Sequence, residues 1–541
     1  MFRFFTKLWN GDTDSITAAA FIVGSAALAS RLVGLVRDRV LASTFGAGDV
    51  LDAYYAAFRV PDFLYNLIIL GALSAAFIPV FTDYLEHRER GEAYRLAERV
   101  LSVVGAVMGV LCLFLIWLTP QLIPLTVPGF SGHKLALVVS LTRIMLLATF
   151  CLALSAVMGG ILQATRRFLA FSLAPVFYNL GIIIGVVLLV PNMGPVGLAW
   201  GVFLGALLHL ATQASVALRV GLERIPLPSF RHPGVRRILS LMAPRTAGLA
   251  VTQVNQVIIL ALASTLPVGT VAVLNLAANL QTVPLGIIAI SFAVAAFPTL
   301  SRAASAHDRL EFKTVLGSTA RKIVFLILPV TAAFLILRAQ IVRLILGEGE
   351  FDWDDTIRTA NVFAILASSL LAQSLVPLLA RAFYALQDTW TPLWIGIAAE
   401  GTNLVLALLL RESYGLLGLS AAFSAAAWVS AFLLWLRLRA KQGPLGTQAV
   451  WRSGAKTFLA TLVFCAVAIS VRIWIGTIYP LRTYLQVALQ AGAAFSAGSV
   501  GFLITAWWLQ SDELREFRSA ASRYLWKRAR VSEGVVEAQG R

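Results

Sequence analysis

Apolar residues run through this chain in long blocks, and the charged residues collect mostly in the short stretches between them. A helix needs about 20 apolar residues to cross the hydrocarbon of a bilayer. Windows of that length fall near 15–36, 51–82, 100–120, 135–162, 169–191, 195–218, 238–265, 270–300, 320–346, 357–385, 390–411, 414–436, 457–477 and 484–509. The blocks are too dense for a transmembrane barrel, whose strands alternate lipid-facing and lumen-facing positions. The pattern therefore predicts an all-α polytopic membrane protein with about 14 transmembrane helices, since helices satisfy their own backbone polar groups inside lipid.

Composition agrees: 59% of the 541 residues are hydrophobic and 13% are charged, against about 45–50% and about 25% in soluble domains. The net charge of +17 would suit a nucleic-acid binder until its distribution is considered. With the N-terminus placed inside, 30 of the 44 basic residues fall on the cytoplasmic side and nine outside. The remaining five, Arg31, Arg59, Arg143, Arg245 and Arg381, lie within spans. That asymmetry predicts both termini in the cytoplasm and an even number of spans. It also accounts for the charge without nucleic acid.

Cys112, Cys151 and Cys465 sit inside apolar runs and read as small buried hydrophobes. The stretch MFRFFTKLWNGDTDS lacks the long apolar core and cleavage site of a signal peptide, so the first span is expected to direct insertion. There is no GxxxxGK[ST], HExxH or GxSxG motif, and the five histidines are dispersed. ATP-driven transport by this chain alone, metal catalysis and any catalytic residue are not expected, and neither is a cofactor.

Short strings repeat at nearly one offset. Ala75-Ala76-Phe77-Ile78-Pro79 finds an echo in Ala295-Ala296-Phe297-Pro298, Leu162-Gln163-Ala164-Thr165 in Leu386-Gln387-Asp388-Thr389, and Asn179-Leu180 in Asn403-Leu404. Such repeats mark two bundles around a central site in many transporters. The predicted organisation is an N-terminal lobe over 1–218 (spans 1–6), a basic cytoplasmic linker over 219–237 and a C-terminal lobe over 238–440 (spans 7–12). Spans 13–14 follow over 441–509, and a basic cytoplasmic tail over 510–541. The tail interleaves cations with apolar residues, as a solvated anchor or a helix on an anionic leaflet would.

Charges at membrane depth are costly, by about 2.5–3.5 kcal/mol each near the bilayer centre, and usually face a cavity or a partner. The stretch SRLVGLVRDRVLASTFGAGDVLDAYYAAFRVPDFLYNLIILGALSAAFIPVFTDYL, from Ser30 to Leu85, carries Arg31, Arg37, Asp38, Arg39, Asp52, Arg59 and Asp62. On a helix Arg31 and Arg37 are about 120° apart, and Pro61 should break or bend the second span. Two readings are open. The cations line a water-filled cavity for an anion, or Arg37, Asp38 and Arg39 are loop charges while Asp52 and Arg59 neutralise each other. In the second half Arg245 lies within the seventh span. Glu400 and Asn403, three apart, could bind a coupling cation with Asn255 or Gln256, or serve only in helix-to-helix hydrogen bonds. The acidic run Glu348 to Asp355 reads as a solvated external loop.

The segments SRLVGLVRDRVLASTFGAGDVLDAYYAAF, GALSAAFIPVF, ISFAVAAFPTLSR and LLARAFYALQDTWTP resemble the MurJ (MviN) lipid II flippases of the multidrug/oligosaccharidyl-lipid/polysaccharide exporter superfamily. That resemblance implies two pseudo-symmetric six-helix lobes around a central V-shaped cavity, alternating access, and a lipid-tail groove from the last two spans. It implies lipid II, the undecaprenyl-pyrophosphate-linked disaccharide-pentapeptide of peptidoglycan synthesis, as substrate, flipped from the inner to the outer leaflet of the bacterial cytoplasmic membrane. By the same resemblance Arg31, Arg37 and Arg59 would attract the pyrophosphate, and Asp38 and Asp52 would tune or gate them. Where many members carry an Arg-Arg pair, a later glutamate and an arginine of the eighth span, this chain has Tyr65, Asn66, Leu70 and Asn279. Arg245 is expected to replace one of the missing cations, with Asn279 beside it.

A monomer is expected, coupled to membrane potential or a monovalent cation, with membrane lipids and the cell-wall synthesis machinery as its surroundings. Two alternatives remain. A related exporter of another oligosaccharide-lipid or a drug should show acidic cavity walls if its cargo is cationic. A scaffold or polyprenyl-phosphate enzyme should, if an enzyme, show clustered acid/base or metal-binding residues.

Overall fold

The computed structural model describes residues 16–222, 226–444, 447–479, 483–519 and 522. The expected N-terminal segment before Ile16, part of the basic linker and most of the basic tail lie outside the described residues.

The chain is built of helices. The first span is α1 (Ile16–Phe45), and the second is broken into α2 (Asp49–Ala57), α3 (Arg59–Tyr65), a π-helical turn over Asn66–Leu73 and α4 (Ser74–His87). Then come α5 (Arg90–Thr126), α6 (Gly132–Ala164), α7 (Phe168–Ile184), a π-helical turn, α8 (Val190–Met193) and α9 (Val196–Val220). The middle of the chain forms α10 (Pro233–Ser264), α11 (Thr270–Pro284), a π-helical turn over Leu285–Ala289, α12 (Ile290–Ser305), α13 (Arg309–Ile336) and α14 (Arg338–Leu346). Helices α15 (Trp353–Ala367), α16 (Leu370–Ala385), α17 (Trp390–Gln442), α18 (Thr447–Ile478) and α19 (Tyr484–Trp508) complete it.

Among the described residues nine helices are long and apolar enough to cross a membrane, or ten with the α15–α16 pair, bent by 41°. Helices α1 and α10, the broken run α2–α4 and the second arm of α17 fall on the remaining predicted windows. The 53-residue α17 is two arms meeting at Gly415, where φ is 51° and ψ −127°.

Three boundaries differ from the hydropathy windows. The first span continues nine residues past its predicted end, so Arg37, Asp38 and Arg39 are helical, not loop charges. Hydropathy ends a window where charge begins, but a helix continues while its charges find partners. The ninth window divides at Leu337, separating α13 from α14. The second span breaks at Phe58, three residues before Pro61. Proline has no N–H to offer the carbonyl four residues back, and that carbonyl, of Ala57, instead accepts from the Thr142 hydroxyl at 3.4 Å.

Local geometry repeats along the chain. The π-helical turns begin at Asn66 and Leu285, each followed by a helix with an internal proline, Pro79 and Pro298. Helices α6 and α16 both end near a left-handed residue, Arg166 and Gln387, with φ 58° and 60°. These pairs share an offset close to that of the repeated strings.

Packing separates two compact units. The first holds the chain up to Leu276 with Ile345–Thr359 and Leu404–Leu419. Within it α7 and α9 meet through glycines: a Cβ on Gly181 would lie 2.2 Å from the Gly205 Cα. This is how small residues let membrane helices approach. The second unit holds Ala277–Leu344, Ala360–Asn403 and the chain from Ser420. One core there gathers Ile323, Ile327, Leu370, Phe383 and Leu438. Another joins α18 and α19 to α13, with the Phe325 and Phe502 rings 5.2 Å apart. Arg472 of α18 donates to the carbonyl of Ile336 at 2.7 Å, satisfying a helix end that would otherwise lack a donor.

At the α16–α17 turn, Asp388 accepts from the Thr391 backbone N–H, the Thr391 hydroxyl and Lys441. Burial works against its charge, but those donors outweigh it and hold the carboxyl down at about 2.

Candidate functional site

The charged residues of the first two spans are gathered in the first unit. Arg37 donates through Nε and Nη2 to Asp38 Oδ1, at 3.0 and 2.7 Å, and through Nη1 to Asn179 Oδ1 at 2.9 Å. The Asn179 amide of α7 is held by donating to the Pro175 and Ser30 carbonyls, at 3.0 and 3.5 Å. Asp38 is buried, so this pair sits within protein rather than at a surface. Arg31 lies six residues earlier on α1 and is half-buried. Arg39 turns elsewhere and donates to Glu348 at 2.8 Å.

Arg59 stands at the start of α3, just past the break. Its Nη1 donates to Gln256 Oε1 of α10 at 2.8 Å, while Nε is buried with no hydrogen-bond partner. A neutral amide takes the Nη1 hydrogen bond, and the Asp62 carboxylate one turn later on α3 acts on the guanidinium through space without a direct ion pair, so donors remain for an anion nearby. Gln253, one turn before Gln256, accepts from Asn66 at 3.5 Å.

Asp52 does not neutralise Arg59. It is 1% exposed, and its carboxylate accepts from Gly269 N–H at 2.8 Å, Ala272 N–H at 2.9 Å and Lys134 Nζ at 2.7 Å. Lys134 also reaches Asp49 at 2.7 Å and lies 4.0 Å above the Phe130 ring. The two amides belong to the start of α11, where unsatisfied N–H groups and the helix dipole favour an anion. Gly269 is fitted to this place: its φ is +83°, and a Cβ there would lie 1.9 Å from the Ala47 carbonyl oxygen.

The run Glu348–Asp355 is not a merely solvated loop. Besides Glu348 with Arg39, Asp355 accepts from Ala47 N–H at 2.8 Å and Glu350 N–H donates to the Ser43 carbonyl at 2.9 Å. The turn between α1 and α2 is thus bound by backbone and charge together. Hydropathy carries no sign of this, because the partners lie some 300 residues away.

Asn279, on α11, is half-buried in the second unit. Arg245 lies within α10, but its side chain is outside the described residues. Glu400 and Asn403 line a cavity of about 400 Å³ in the second unit, with Gln373 and Ser430. The Asn403 Oδ1 is buried without a hydrogen-bond partner. Asn255 and Gln256 belong to the first unit, where Gln256 serves Arg59. Among the described residues no group of three or more His, Cys, Asp or Glu side chains could hold a metal ion.

Sequence reasoning assigned no role to Asp62, Tyr178 or His209, which line a cavity of about 410 Å³ in the first unit. It used Asn179 only as part of a repeat. Asp62 carried a signal, a second acid beside Pro61 in an apolar span. The other three look like ordinary span residues until the fold joins them.

Membrane-length helices broken by proline and π-helical turns, with guanidinium and carboxylate groups buried among them, define a polytopic transporter of the membrane. The family model described as "Lipid II flippase MurJ" matches residues 41–493. The chain is 32% identical over 429 residues to the "Probable lipid II flippase MurJ" of Rhizobium meliloti (strain 1021), covering 77% of this chain and 79% of that protein. It is 30% identical over 506 residues to the corresponding protein of Vibrio cholerae, covering 89% and 93%. The chain belongs to the MurJ lipid II flippase family, a family of transporters and not of enzymes.

Solved structures agree on the fold. "Lipid II flippase MurJ, inward closed conformation" superposes with a TM-score of 0.74 at 21% identity, covering 90% of this chain and 98% of that one. An inward-facing multidrug resistance MATE family transporter of the MOP superfamily gives 0.66 at 18% identity, covering 79% and 99%.

Proposed function

We propose that this chain flips lipid II, the undecaprenyl-pyrophosphate-linked disaccharide-pentapeptide, from the inner to the outer leaflet of the bacterial cytoplasmic membrane. Two six-helix lobes work by alternating access, the last two helices take the polyprenyl tail, and both termini are cytoplasmic. The observation that carries the reading, beside family membership, is Arg59, a guanidinium in a broken membrane helix that is bonded to the neutral amide of Gln256 and keeps a buried Nε without a partner.

Arg31, Arg37 and Arg59 attract the pyrophosphate, with Arg245 and Asn279 supplying the second half's share. A phosphate reaching Arg37 competes with Asp38 and Asn179 for its five donors, so Asp38 sets how readily that arginine is released. Asp52 acts as a gate through its hold on the start of α11. Glu400 and Asn403, with Gln373, form the site for a monovalent coupling cation. Membrane potential adds about 2.3 kcal/mol per charge moved through about 100 mV, enough to bias an equilibrium between two lobe arrangements.

The test is complementation of a flippase-depleted bacterium, with outer-leaflet lipid II measured directly. Restoration is expected; failure despite correct insertion removes the assignment. In the same strain Arg59→Gln and Arg245→Ala are each expected to lower outer-leaflet lipid II. Parental activity in Arg245→Ala would remove the role given to that residue.

A further inference from the structure

Two buried acidic residues of the first two spans have direct partners. Asp38 is paired with Arg37, and Asp52 holds three donors. Asp62, one turn after Arg59 on α3, accepts no hydrogen bond and forms no direct ion pair among the described residues; Arg59 acts on it through space while its Nη1 bonds Gln256. It opens into the 410 Å³ cavity, which is large enough for several waters. A buried carboxylate without a directly bonded partner is unfavourable, and a guanidinium one turn away offsets this only in part, so binding of a proton relieves the rest.

An imidazole lines the same cavity. Nδ1 of His209, on α9, lies 2.8 Å from the Ser155 hydroxyl oxygen, and that hydroxyl donates to Gln213 Oε1 at 3.0 Å. The Ser155 contact anchors the ring through Nδ1 to α6. Tyr178 stands edge-on to His209 with ring centroids 6.5 Å apart, and Tyr65 and Asn66 complete the polar lining.

The other groups that could set the charge are few. Helix α3 presents Arg59, α6 presents only Thr149, whose hydroxyl is engaged by the Met145 carbonyl, and α10 presents the neutral Gln253 and Gln256. Tyr54 of α2, Arg37 of α1, Tyr65 and Asp62 itself are within electrostatic reach of Tyr178. No lysine or second carboxylate lines the cavity.

We propose that Asp62 is a proton-binding site inside the first unit. Its carboxylate takes a proton from cavity water to form an O–H bond, leaving hydroxide to the bulk solvent, and the His209 imidazole is a second base lining the same cavity. Protonation removes the charge that keeps α3 hydrated and lets the cavity walls close. A proton gradient thereby acts on the transport cycle, a consequence that rests on the flippase reading, whereas the proton site itself does not.

The experiment is infrared difference spectroscopy of the purified full chain in sodium-free buffer, from about pH 5 to about pH 9. A carboxylic-acid band that titrates in the parent and is lost in Asp62→Asn is expected. Asp62→Glu should keep a displaced band, which covers the case in which Asp62→Asn does not fold. His209→Gln should move the titration midpoint by about one pH unit. Absence of any Asp62-dependent band overturns the proposal. So does its disappearance on adding sodium chloride at constant pH, which would mean that sodium occupies the carboxylate. A band that titrates in a chain unable to restore outer-leaflet lipid II would remove the flippase reading and leave the proton site standing.

Discussion

Asp52 and Asp62 stand ten residues apart on the two sides of one helix break, and the fold treats them in opposite ways. Asp52 is closed in by two backbone amides and an ammonium group. Asp62 has no such donor and faces a cavity. A carboxylate at membrane depth can be neutralised permanently by protein, or it can be left beside a space from which neutralisation comes and goes. The first arrangement holds helices together, and the second can respond to conditions. Residue type and hydropathy are the same for both, so the difference lies wholly in the neighbours.

That contrast is sharpest in a comparison of two variants. Asp52→Ala leaves two helix-terminal N–H groups without an acceptor and Lys134 with Asp49 as its carboxylate partner, and should lower stability by about 2–4 kcal/mol. Asp62→Asn should change it by less than about 1 kcal/mol, because no donor is left behind. Thermal unfolding of the purified protein measures both, and equal losses would erase the distinction. Gly269→Ala comes next, at about 1–3 kcal/mol, through its positive φ and the Ala47 carbonyl in the way of a Cβ. Should Gly269→Ala melt like the parent, the start of α11 is not held tightly enough for Asp52 to act through it.

Thr142→Val tests the break that separates the two aspartates. It removes the hydroxyl bonded to the Ala57 carbonyl and should lower stability by about 1 kcal/mol. The smallest effect is expected at Asp388, which has the donors of Asp52 but an accessible position. Its folded value is depressed to about 2, so its contribution is complete above about pH 4 and is lost as pH falls toward 2. Acid titration of stability should show that slope, and Asp388→Asn should flatten it and lower the neutral-pH melting temperature by the small amount the slope represents.

Much of the candidate site could be read in the sequence. Arg31, Arg37, Asp38, Asp52 and Arg59 stand out because charge in an apolar run is rare and expensive, and the break near Pro61 follows from a missing N–H. The pairing could not be read. Asp52 and Arg59, seven apart, looked like mutual partners, yet the break at Phe58 sends one to Lys134 and the other to Gln256. The acidic run at Glu348 looked solvated because its partners, Arg39, Ser43 and Ala47, lie at the far end of the chain.

The sequence by itself determined the class of protein, the helical windows and the excess of cations on one side. Each depends on run length or on counts along the chain, and the bilayer selects on those quantities directly. It also carried the family, through strings long enough to be specific. Only the tertiary structure decided what each buried charge does. Donors and acceptors 82 to 217 residues apart meet at Asp52, and their meeting depends on where helices break and which glycines let backbones touch. The same packing left Asp62 without a donor, a fact about neighbours that residue order does not contain.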